Sequence, residues 1–103
     1  MKYIYLMQSL ENSYYKIGVS NMPNIRLKQL NTGNPSPIKL IEVYPTEFAF
    51  KIEKALHRKY AYLKIKNKEW FDFSIKEDND FIKDCCNIEK GIKVLIEAGN
   101  EFI

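Results

Sequence analysis

The sequence predicts an α+β fold, a single domain in which a short antiparallel sheet is flanked by helices. Three observations carry that reading. The opening stretch, Tyr3 to Gly18, reads YIYLMQSLENSYYKIG: two runs rich in aromatic and β-branched residues around a polar connection, the pattern of a hairpin. Downstream, segments with helical spacing of apolar residues alternate with strand-like runs. A chain of 103 residues also suffices for one core but not for two.

The elements follow in order. The arms Lys2 to Met7 and Tyr14 to Val19 pair across Gln8 to Ser13, where Asn12 and Ser13 bond their own backbone readily in turns. Alternation sets Tyr3 and Tyr5 on one face with Ile4 and Leu6 on the other, and Lys16 and Gly18 opposite Ile17. A lysine on that face implies a wet cleft rather than ordinary core. A helix starts near Ser20 and Asn21, both good caps, with Pro23 in its first turn. It runs through Ile25, Leu27 and Leu30 and stops at Asn31-Thr32-Gly33-Asn34-Pro35. Ile38 to Tyr44 is a third strand between Pro37 and Pro45. Thr46 caps a longer helix to about Leu63, with Phe48, Ile52, Ala55, Leu56 and Tyr60 recurring along it. Glu69 to Phe73 is a strand or extended segment that closes one side of the core, with Trp70 and Phe71 inside. Ser74 and Glu77 make a capping-box pattern for a last helix starting there, or at Asp78 or Asn79. Its stripe Phe81, Cys85, Ile88, Ile92 and Leu95 packs on the sheet, and Gly99 ends it. The core therefore spans about 3–73, with a C-terminal helix over about 75–98.

Composition sets the class. With 46% apolar and 28% charged residues, the chain matches an ordinary soluble globule. No apolar run approaches the roughly 18 residues of a membrane helix, and the N-terminus lacks a secretory pattern, so the expected location is cytoplasmic. Adjacent Cys85 and Cys86 suit neither a disulfide framework nor a zinc site; at least one is expected to pack as a small hydrophobe. The richness in lysine, isoleucine and asparagine suggests an AT-rich genome, such as that of a phage or other mobile element.

The net charge of +3 conceals an asymmetry. Residues 1–68 hold 12 Lys and Arg against 4 acids, whereas residues 69–103 hold 4 against 9. Within Lys51 to Lys68, seven basic residues face only Glu53. Such a field suits a polyanion such as nucleic acid, although a solvated helix face accounts for the same run. Arg26 alone reads as a solvent-exposed helical charge. Glu53 and His57, four residues apart, share one side of a helix and serve equally as metal ligands or as a simple hydrogen-bonded pair.

Taken together, YIY, YKIG, an Arg eight residues after that glycine, LNTGNP, an ExxxH on the second helix, and EWF resemble the GIY-YIG nuclease superfamily. The likeness is closest to its phage-type branch, with Lys-Ile-Gly in place of the second triplet, and covers roughly residues 3–73. It implies a three-stranded antiparallel sheet flanked by helices, a cleft for a phosphodiester, and one divalent metal, Mg²⁺ or Mn²⁺, on Glu53. By position it implies that Arg26 clamps the phosphate, that Tyr5 is the tyrosine of the first triplet, and that Lys16 and Gly18 stand in the second. His57 matches a position where this branch often carries histidine. Tyr3 departs from the glycine of the name, and Lys16 departs from its tyrosine. The second departure bears on how the attacking water is activated.

These residue types suit phosphodiester hydrolysis, which needs a deprotonated water, stabilised phosphoryl oxygens and a neutralised leaving group. The candidate catalytic set is Tyr5, Lys16, Arg26, Glu53 and His57; candidate nucleic-acid contacts are Tyr15, Lys28, Asn34, Lys54 and Arg58. Asn31 and Asn34 more simply shape their turn, Glu69 pairs with a basic neighbour, and Asn67 sits where many superfamily members place a late asparagine. The expected function is a metal-dependent DNA endonuclease. The alternative is a nucleic-acid-binding module that keeps the fold without turnover. Without a fused recognition domain, the expectation is that the chain is unspecific, multimeric or dependent on a partner protein for specificity.

Overall fold

Tyr5 faces Gly18 and Leu6 faces Ile17 in the antiparallel pairing of β1 (Lys2–Ser9) with β2 (Tyr15–Ser20), and that register fixes what each face of the sheet can hold. The computed structural model describes residues 1–33, 35–65, 69–74 and 80–99. Its element order continues with α1 (Pro23–Asn31), β3 (Ile38–Thr46), α2 (Ala49–Lys59), a 3-10 turn over Ala61–Leu63, β4 (Trp70–Phe71) and α3 (Phe81–Glu97). The strands run in the order β3-β1-β2-β4, all antiparallel. A two-residue edge strand thus extends the expected three-stranded sheet to four.

The hairpin closes as its sequence implies. Asn12 Oδ1 accepts from Tyr14 N at 3.0 Å, and Ser13 takes a left-handed backbone with φ 63. At β3, an edge strand, Pro45 lies within the pairing, where its missing N–H is tolerated.

Helices cover both faces. Ile4, Leu6 and Ile17 meet Ala49, Ile52 and Leu56 of α2, the 3-10 residue Leu63, Phe71, and Phe81, Cys85 and Ile92 of α3 in the main core. On the other face Tyr5, Met7 and Ile38 form a smaller cluster under Leu27 and Leu30 of α1, with Leu40 and Trp70. The tyrosine face is therefore not a wet cleft along its length: α1 closes its Met7 end. Cys85 is fully buried, as expected of a small hydrophobe, and burial pushes its thiol up to about 12.

Three helix boundaries differ from the sequence expectation, each for a local reason. Met22 occupies the cap position of α1, because Asn21 Oδ1 instead accepts from Lys2 Nζ at 2.8 Å and Ser20 Oγ accepts from Met22 N at 3.0 Å. Thr46 Oγ1 accepts from Phe48 N at 3.1 Å, so α2 begins later, and its end tightens into the 3-10 turn that still buries Leu63. Asp80 caps α3 by accepting from Lys83 N at 2.9 Å. Glu77, the capping-box partner expected for Ser74, and Asp78 and Asn79, the later starting points, lie outside the described residues. Leu95 is 41% exposed, so the apolar stripe of α3 leaves the sheet before the helix ends.

Asn31 holds α1 to the sheet. Its side chain donates to Ile38 O at 2.9 Å and accepts from Ile38 N at 2.8 Å, using both amide atoms as a strand partner would. Asn31 thus shapes the turn rather than facing a ligand. Asn31→Ala removes both bonds and leaves the half-buried Ile38 backbone groups unpaired, which should cost about 2 kcal/mol in urea unfolding. Among the described residues no helix is long and apolar enough to cross a membrane.

Candidate active site

Gly18 is where the sheet opens. A Cβ built on it would fall 2.3 Å from Tyr5 Oη and 2.4 Å from Tyr5 Cζ, so the Tyr5 ring lies directly over the glycine. Only a residue without a side chain allows that approach. The ring reaches from β1 across its neighbour strand and carries its hydroxyl toward the outer edge of β2.

That edge is bare where it matters. Strand β4 pairs only Tyr15 with Phe71 and Lys16 with Trp70. From Ile17 onward, β2 has no outer strand partner among the described residues. His57 reaches this edge from the other face: its Nε2 lies 3.2 Å from the Ile17 carbonyl oxygen, and its ring meets Phe71 edge-on at 5.2 Å. A carbonyl only accepts, so Nε2 carries the hydrogen and donates it. In the neutral ring Nδ1 is then left as the acceptor.

Glu53 sits one turn before His57 on α2, half-buried. Burial raises its carboxyl above the usual carboxylate range, and the nearby His57 lowers it by less. No hydrogen bond joins it to another described residue. Lys16, whose side chain is 12% exposed, forms an ion pair with Glu69 and stands 5.7 Å from the centre of the Trp70 ring. The Glu69 side chain is 77% exposed, and its carboxyl is held below the usual range by Lys16 first, and further by Arg26 and His57. One carboxylate therefore feels a lysine from the sheet, an arginine from α1 and a histidine from α2. That convergence gathers Lys16, Arg26 and His57 around the free edge of β2, with Glu53 coupled to His57 one turn before it on α2 and the hydroxyl of Tyr5 over Gly18.

The other candidates lie apart. Tyr15 has the same parity as Ile17 and stacks on Phe73 at 4.9 Å on the main-core side, away from Lys16. Lys28 is exposed on α1 but about 200° around the helix from Arg26. Lys54 and Arg58, with Lys51, line a groove between α2 and α3 rather than the Glu53 site. Asn34 and Asn67 lie outside the described residues. Glu69 finds the basic neighbour expected of it in Lys16. The pairing of Tyr5 with Gly18 is what the sequence reading missed; its signal was the glycine inside a strand, which marks a close approach.

The residues present fit a hard divalent cation. No cluster of three or more His, Cys, Asp or Glu that could hold a metal ion occurs among the described residues, so the one carboxylate to consider is Glu53. A single desolvated carboxylate without a bonded counter-ion is the kind of donor that Mg²⁺ shares with water and substrate oxygens.

A family model for the T5orf172 domain matches residues 2–87. The chain belongs to the T5orf172 domain family. This is a phage-associated domain with a nuclease-like fold in the wider sense. In this T5orf172 domain the match runs from β1 into α3 and includes every residue of the site. No curated protein and no solved structure matches the chain.

Proposed function

We propose that this T5orf172 domain is a DNA endonuclease of the GIY-YIG type, hydrolysing phosphodiester bonds with one divalent metal. The observation that supports it is the meeting of a buried-ring tyrosine, an arginine, a half-buried glutamate and a histidine at one bare strand edge. Arg26, exposed and permanently charged, grips a non-bridging oxygen of the scissile phosphate with its planar fork. Tyr5 presents its hydroxyl to the attacking water, held in place by the absence of a side chain at Gly18. His57, oriented by its bond to Ile17 O, offers Nδ1 as the acceptor of that water's proton. Lys16, paired with Glu69 and set against Trp70, acts as a fixed cation beside the phosphate rather than as the base. Glu53 would hold Mg²⁺ or Mn²⁺, which supplies charge neutralisation for the phosphoryl and leaving oxygens.

Arg26→Ala is the test of the phosphate clamp. Cleavage of an end-labelled DNA in Mg²⁺ should fall about a thousandfold, as when an arginine is removed from other phosphoryl-transfer sites. The salt dependence of binding should lose about one phosphate contact. Unchanged cleavage would remove Arg26 from the mechanism. A second reading, a DNA-binding module without turnover, is favoured by Lys16, whose engagement with Glu69 leaves it no lone pair for water activation. It predicts DNA binding with no cleavage in either metal.

A further inference from the structure

Between α1 and the sheet, on the face that carries Tyr5 and Gly18, lies a cleft of about 470 Å³ that the proposed chemistry does not use. Its walls are Tyr3, Leu40 and Val43 from the strands and Met22 and Ile25 from the start of α1, with the exposed amide of Asn24 beside them. Met22, Ile25 and Val43 are 60%, 50% and 38% exposed, and no described residue covers them. The volume lies in the range that small planar ligands fill. No acid lines the cleft; Lys2 reaches its rim by donating from Nζ to Asn21 Oδ1, in the lining, at 2.8 Å, and Arg26 follows Ile25 in the chain.

Charge decides the occupant. A second copy related by a two-fold axis would bring the same cations against each other across the patch. A nucleic-acid strand satisfies both parts, with its phosphates on the flanking cations and a base against the apolar walls and Tyr3. The cleft is also in the right place. Tyr3 and Tyr5 share one face two residues apart, so it opens about 6.8 Å along β1 from Tyr5, and Ile25 in its wall precedes Arg26. A base still stacked in a duplex shows only its edge and cannot enter such a slot.

We infer that this slot receives one unstacked nucleobase of the strand whose phosphate lies against Arg26, so that the preferred substrate is DNA with an unpaired nucleotide beside the reacting phosphate. The position of that phosphate rests on the nuclease reading. The test is binding, without metal, of a series of single-stranded oligonucleotides carrying 2-aminopurine at each position in turn, compared with the matched duplex. Emission should rise several-fold at one position. An abasic site there should weaken binding about tenfold, the scale of a lost base stack. Val43→Trp, which fills the slot from an exposed strand position, and Ile25→Glu should abolish the rise while thermal melting shows both variants folded. Binding with flat emission at every position, or a rise that survives Val43→Trp, overturns the slot and leaves the nuclease reading standing. Failure to bind any oligonucleotide at low salt overturns both.

Discussion

Glu53→Gln is expected to leave a folded protein that is more stable than wild type at neutral pH and that cuts DNA about a thousandfold more slowly, several kcal/mol of lost charge stabilisation at a factor of ten per 1.4 kcal/mol. The stability part follows from the raised carboxyl of Glu53, whose cause is burial. A group whose pKa is higher folded than unfolded contributes stability that is present below its unfolded value, about 4.3 for glutamate, and is lost as pH rises through the folded value. Wild type and Glu53→Gln should therefore have similar urea midpoints near pH 4 and separate toward neutrality, with the variant above. The same carboxylate is where a cation would restore what burial costs. Mg²⁺ should raise the melting temperature of wild type and leave that of Glu53→Gln unchanged. Equal responses to Mg²⁺ would take the metal away from Glu53.

Gly18→Ala is the second large effect, and it tests the geometry rather than the chemistry. A methyl group 2.3 Å from Tyr5 Oη forces the ring to swing away, and the ring is 3% exposed, with little room to do so. Overpacking of this kind costs about 1–3 kcal/mol. Because the displaced atoms are those of the phenol, the loss of cleavage should exceed the loss of stability. A double-mutant cycle with Tyr5→Ala separates this from a general strand defect. If the ring occupies the space over Gly18, Gly18→Ala should cost little or nothing once Tyr5 is already alanine, giving a coupling of at least about 1 kcal/mol. Additive effects would place the ring elsewhere.

Much of this was legible in the sequence, for reasons that the structure makes explicit. Period-two alternation in KYIYLM and YKIGV settles which residues share a face, because one side meets α2 and α3 while the other meets α1. The same alternation places Tyr15 with Ile17 and so away from Lys16, where it stacks on Phe73. Helical spacing brought Glu53 and His57 together, but could not show what His57 touches. That depends on β4 ending after two residues and leaving the Ile17 carbonyl for the imidazole, a feature set by tertiary packing of Trp70 and Phe71. The capping-box pattern puts the start of α3 at Ser74, or at Asp78 or Asn79, whereas the cap is Asp80, directly before the first buried residue, Phe81. The slot beside α1 has no periodic signature, since Tyr3, Met22, Ile25, Leu40 and Val43 come from three elements.

Endonuclease activity is tested most directly by one assay: supercoiled plasmid incubated at low salt with wild type and with Glu53→Gln, in Mg²⁺ and then in Mn²⁺. The expected result is conversion to the nicked or linear form by wild type in at least one metal, suppressed by chelation and by the substitution. A plasmid that is retarded by wild type in gels yet stays supercoiled in both metals would contradict it, and would leave a domain that binds DNA without cutting it.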